Sequence, residues 1–190
     1  MRITKQSLTR RWALTSLLAA ILFAVLAWSD LRLKSLSGYG MADLQGFSTA
    51  AQYRQAFSVW PSLYAVRAGF NWGLDYLLMP LYAAAFFYSG IITREAFAPR
   101  PGRLRRILTL LAAVPIAGAV LDASENALQL GMMLSGASDR LARIALTVSN
   151  AKWVAIYVGL TLWLGAILAR QQERQQRRLK AANSPAKTGP

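Results

Sequence analysis

The sequence has no cysteine and no histidine in 190 residues, and only eight acidic side chains against 22 lysines and arginines. Without cysteine there are no disulfides and no thiol chemistry. Without histidine the chain lacks the commonest metal ligand and the usual neutral-pH base. The histidine-rich membrane hydrolases and desaturases are thereby excluded. Zinc held by carboxylates alone would be unusual, and neither a phosphate loop nor a serine-nucleophile motif is present. No metal and no cofactor are expected.

What the chain does have is apolar length. Hydrophobic residues make up 55% of it, the mean hydropathy is +0.30, and the apolar residues come in blocks. A helix needs ~20 apolar residues to cross the hydrocarbon core. Four blocks answer to that length, at residues 12–28, 72–92, 107–130 and 146–169. They predict an all-α fold, a four-helix transmembrane bundle over residues 1–169. A basic, partly disordered tail over 170–190 follows, its last ten residues, AANSPAKTGP, being the disordered part.

The net charge of +14 is unevenly placed. Arg2, Lys5, Arg10 and Arg11 precede the first block. Arg94, Arg100, Arg103, Arg105 and Arg106 lie between the second and third, and Arg170, Arg174, Arg177, Arg178, Lys180 and Lys187 follow the fourth. Only Glu95 and Glu173 offset them. An even number of crossings puts these three segments on one side, and the positive-inside rule makes that side the cytoplasm, with both termini inside. Topology thus accounts for the basicity, and no nucleic-acid partner is expected. The stretch RQQERQQRRLK reads as a juxtamembrane anchor for anionic headgroups on the cytoplasmic face of the bilayer. The start, LTRRWALTS, has the look of a twin-arginine signal, but three further apolar blocks follow, so it reads as a retained first helix.

Residues 30–71 form the one long loop, facing outward and broken by Gly38, Gly40 and Gly46. Within it STAAQYRQAFSVWP predicts a short amphipathic helix, because Tyr53, Phe57 and Trp60 recur at helical spacing. Such a helix lies on the membrane surface or forms a lid over the outer end of the bundle. Trp28 and Trp72 are expected at the membrane interface.

Chemistry concentrates in the third block. Asp122, Glu125, Asn126 and Gln129 share one helix face, with Pro115 and Gly118 below them, and a polar face of this kind points into a bundle. At a rise of ~1.5 Å per residue, Asp122 lies roughly 24 Å from Arg106, and Lys152 about 27 Å from Arg170. Counted from Trp72, Asp75 lies about 5 Å below the outer surface. Asp75, Asp122, Glu125, Asn126 and Lys152, from three helices, are therefore expected in one layer under the outer headgroups. Arg143 is a candidate second base at its rim. Alternatives stay open residue by residue. Asp75 could be a first-turn acid favoured by the helix dipole, Asn126 a helix–helix hydrogen bond, and Lys152 a side chain snorkelling to the headgroups. Tyr82 and Tyr157 read as packing and interfacial aromatics.

The stretches LDYLLMPLY at 74–82 and LDASEN at 121–126, after an outer segment ending in Trp60, resemble those of a group of small uncharacterised bacterial inner-membrane proteins with four predicted spans. The resemblance covers the chain to about Ala169. It implies a bacterial inner-membrane setting and no particular chemistry. In architecture alone the chain is also similar to the four-helix sterol-isomerase and sigma-2-receptor-like superfamily.

Three functions are compatible with these residues. The polar layer could line an outer-leaflet cavity that binds a cation, a proton or a lipid headgroup. It could be a satisfied network that fixes helix packing in a structural or interaction subunit. Or Asp122 and Glu125 could act as acid and base of a lipid-modifying enzyme.

Overall fold

The structure, a computed structural model, describes residues 4–182. Its elements are α1 (Lys5–Ser37), α2 (Met41–Leu44), α3 (Ala50–Ser58), α4 (Ser62–Phe97), α5 (Arg103–Ser135) and α6 (Asp139–Ala182). No strand occurs among the described residues. The four long helices α1, α4, α5 and α6 are each long and apolar enough to cross a membrane.

Every long helix outruns its expected span. The hydrophobic block marks what lipid requires, whereas the helix continues until its backbone is capped or broken. Thr4 accepts from Ser7 N at the start of α1, and Gly38 ends that helix at φ +86°, a conformation a side chain resists. The expected end at Trp28 is therefore nine residues early. At the other extreme, Arg170 to Ala182 continue α6, because glutamine, arginine, lysine and alanine are all good helix formers. The expected tail is thus helical as far as Ala182. The remainder of the stretch read as disordered, 183–190, and the flanking charges Arg2 and Lys187 lie outside the described residues.

The expected long loop is also largely helical. Between α1 and α4 the chain forms α2 and α3, joined by short links. Asp30 accepts from Met41 N at 2.6 Å and Ala42 N at 3.2 Å, which anchors α2 to the shaft of α1. Thr49 and Gln52 form a capping box at the start of α3. Asp139, at the start of α6, accepts from Ala50 N at 2.7 Å. Tyr53 and Trp60 are buried with Leu33, Leu44, Met132 and Ala142, and Phe57 is packed against them. Trp60 Nε1 donates to Ser37 Oγ at 2.9 Å. Of the two readings of the short helix, the packing matches a cap over the end of the bundle.

The bundle is not four equal staves. The most apolar stretch of α4 has 44% of its residues buried, that of α1 only 6%. Helix α4 packs against α1, α5 and α6, while α1 packs chiefly on α4. Small residues allow the close approaches. A Cβ added to Gly90 would fall 2.5 Å from that of Ala112, and one on Gly118 would fall 2.8 Å from that of Ala155. Pro80 and Pro115 lie inside α4 and α5, which continue as helix on both sides of them. At the arginine-rich end, Arg94 and Arg105 each reach Glu95 at 2.7 Å, and Arg105 also donates to the Ala98 carbonyl, closing the α4–α5 connection.

Candidate functional site

Three helices bring their polar residues to one level. Asp75 is thirteen residues from Ser62 at the start of α4, Asp122 thirteen from Ser135 at the end of α5, and Lys152 thirteen from Asp139 at the start of α6. Adjacent helices here are antiparallel, so equal counts from the capped end mean equal height, ~20 Å along each axis.

Lys152 is the centre of the layer. Its Nζ lies 3.0 Å from Asp122 Oδ1 and 2.5 Å from Glu125 Oε2. Lys152 is 2% exposed, Asp122 4% and Glu125 0%. The periodicity explains the pair: Asp122 and Glu125 are three apart on α5 and present both carboxylates to the same facing residue of α6. Tyr82 of α4 donates to the second oxygen of Asp122 at 3.0 Å, and Gln129 donates to Glu125 Oε1 at 2.8 Å. Asn126 Nδ2 donates across the α4–α5 seam to Asp75 Oδ2 at 2.8 Å. Buried Ser149 lies on α6 three residues before Lys152. One turn below Asp122, the Gly118–Ala155 contact holds α5 against α6 closely enough for the ion pairs to form.

All five expected residues therefore lie in one layer, in two bonded groups. Asp122, Glu125 and Lys152 form its closed centre, while Asp75 is half-buried and pairs with Asn126 beside it. Several individual readings change. Lys152 does not snorkel, because two carboxylates hold it inside. Asp75 is not a first-turn acid: α4 begins at Ser62, not near Trp72, and Trp72 is 3% exposed and packed in the core. Arg143 does not join the layer. It is exposed, and nine residues separate it from Lys152 along α6. Tyr82 is more than packing, since its hydroxyl completes the coordination of Asp122. Its signal was available in the sequence, because Asp75, Met79 and Tyr82 share a face of α4. Tyr157 is 61% exposed, away from the network.

Asp122, Glu125, Asn126, Gln129 and Lys152 are all buried. Among the described residues no three carboxylates converge in a way that would hold a metal ion, and two grooves lie elsewhere, along α6. One turn from Asp75, the buried donors Asn71 Nδ2 and Trp72 Nε1 have no protein acceptor, while Asn71 Oδ1 accepts from Ser29 of α1 at 2.6 Å.

Compared with known proteins, the chain matches no family model, and no curated protein or solved structure matches it significantly.

Proposed function

We propose that this chain is a multi-pass protein of a bacterial inner membrane whose carboxylate–lysine layer binds a proton. The arginine-rich end faces the cytoplasm, with both termini inside, a reading supported by the positive-inside bias. The cap of α2 and α3 then lies on the outer side. Measured from the arginines at the basic end, the layer sits about 24–28 Å up a ~30 Å core, under the outer headgroups. The exposed belt of Leu17, Phe23, Leu110 and Leu164 meets the acyl chains.

One observation carries the reading. Three acids share a single cation, and Lys152 is engaged by Asp122 and Glu125, so Asp75 has only an amide opposite it. A carboxylate left uncompensated at this depth is costly. A proton neutralises it without needing space, which suits closed packing better than a lipid headgroup. The unpaired donors of Asn71 and Trp72 mark a place for water beside it.

The test is infrared spectroscopy of the protein in nanodiscs across pH, wild type against Asp75→Asn. The expected result is a protonated-carboxyl band that titrates in wild type and is missing from the variant. A band unchanged by the substitution would assign the proton elsewhere and remove the proposal.

The second reading, a purely architectural layer, draws support from how fully the inner triad is satisfied. Triply neutral Lys152→Met, Asp122→Asn, Glu125→Gln separates the two. An architectural network yields a protein of similar or greater stability with no titrating band of Asp75 in either wild type or variant. Under the first reading that band is present in both and shifts in the variant, because its nearest charges are gone.

A further inference from the structure

Two shallow grooves lie on the surface of α6, and both open on the same face. The upper, about 320 Å³, is lined by Arg140, Arg143, Ile144, Thr147 and Val148. The lower, about 340 Å³, is lined by Val154, Tyr157, Val158, Thr161 and Leu162, with Leu111 of α5 across from them. At ~100° per residue, Arg140, Ile144, Thr147, Val154 and Val158 fall within one narrow stripe of the helix. The grooves are therefore stacked end to end, charged at the top and apolar below.

The two arginines have no partner among the described residues. The acid nearest in sequence, Asp139, is turned away to cap α3 at Ala50 N. Arg54, from the cap, is engaged with the Ala137 carbonyl. An arginine stays charged at any physiological pH and binds phosphate in a fork. Two of them three residues apart present such forks side by side.

Height along α6 identifies the ligand. Arg143 is ~40 Å from Arg170 at the helical rise. A bilayer with its headgroups is about 40–45 Å thick. With Arg170 among the headgroups of one leaflet, Arg143 reaches those of the other. Val148 then lies at the edge of the hydrocarbon, and the lower groove runs ~16–29 Å deeper than Arg143, its upper part within the reach of an acyl chain.

We propose that this face of α6 binds one anionic phospholipid of the outer leaflet. Its phosphate lies between Arg140 and Arg143, and one acyl chain follows the groove past Val154 toward Leu111. The site is separate from the carboxylate–lysine layer, which faces the interior from the opposite side of α6.

Native mass spectrometry of the detergent-purified full chain tests this, with phosphatidylglycerol as the anionic probe and phosphatidylcholine as the zwitterionic one. Wild type is expected to retain one phosphatidylglycerol in preference to phosphatidylcholine. Arg140→Gln with Arg143→Gln, both at exposed positions, should weaken that binding roughly tenfold to thirtyfold without lowering Tm. Val154→Trp, which places bulk over the lower groove, should weaken long-chain phosphatidylglycerol but not a short-chain form. Equal retention of the two lipids, or unchanged affinity in the double arginine variant, would overturn the proposal. So would unchanged long-chain binding in Val154→Trp. Displacement of the lipid by glycerol phosphate at the same concentration would identify a site for free anions and overturn it as well.

Discussion

Helices α1 and α4 are of similar length, 33 and 36 residues, and both are apolar enough to span a bilayer, yet they have opposite places in the molecule. Helix α1 has the higher hydropathy, 2.0 against 1.4, and is the less buried. In water that ordering would be perverse. In lipid it is the rule, because hydrocarbon solvates leucine as well as a protein core does and leaves no hydrophobic reason to bury it. What draws a helix inside is polar groups needing partners and small residues permitting contact. Helix α4 buries Asn71, Trp72, Tyr82, Ser89, Gly90 and Thr93. Helix α1 buries only Ala19, Ser29 and Leu33. Its polar ties to the other long helices are few: Ser29 to Asn71, Trp12 to Ser89, and Ser16 to Trp163.

The contrast can be broken most severely at the layer that α4, α5 and α6 share. Lys152→Met removes the cation between Asp122 and Glu125 and should cost about 3–5 kcal/mol, read as a large fall in Tm in detergent. Restoring neutrality in the triple variant should recover most of it. Next comes close packing: Gly90→Val drives a side chain into Ala112 and should cost about 1–3 kcal/mol, measured as loss of the monodisperse folded species on heating. A smaller effect is expected where α1 joins. Ser29→Ala deletes one intramembrane hydrogen bond, worth roughly 0.6 kcal/mol by the average of such pairs. It should shift Tm slightly and leave the α4–α6 core intact to proteolysis. The smallest belongs to the lipid face of α1, where Leu17→Ile should change Tm by no more than about 0.5 kcal/mol equivalent. A large effect there would mean that a protein surface, not lipid, covers α1.

The polar layer was legible for a reason that the contrast explains. Periodicity put Asp122, Glu125, Asn126 and Gln129 on one face, and lipid cannot receive such a face, so inward orientation followed. Equal depth then selected Asp75 and Lys152 from the neighbouring helices. The pairings were not legible. Whether Lys152 turns inward or snorkels depends on whether two carboxylates stand opposite it, which is a matter of helix rotation. Tyr82 was passed over because a tyrosine in a span serves equally well as packing. The capped end was misjudged for a different reason. Hydropathy marks the membrane's thickness and is silent on how far a helix runs beyond it, so the apolar block begins ten residues inside α4 and Asp75 lies near the block's edge but well within the helix.

By itself the sequence determined the four apolar helices, the side on which the arginines gather and the level at which charge is buried, since each follows from transfer between lipid and water, residue by residue. Only the tertiary structure decided which helix is central, that residues 41–58 cap the bundle, and that Lys152 bridges Asp122 and Glu125 while Arg140 and Arg143 stay unpaired among the described residues. Those outcomes turn on angles of rotation and on backbone approach at Gly90 and Gly118, which no single helix specifies alone.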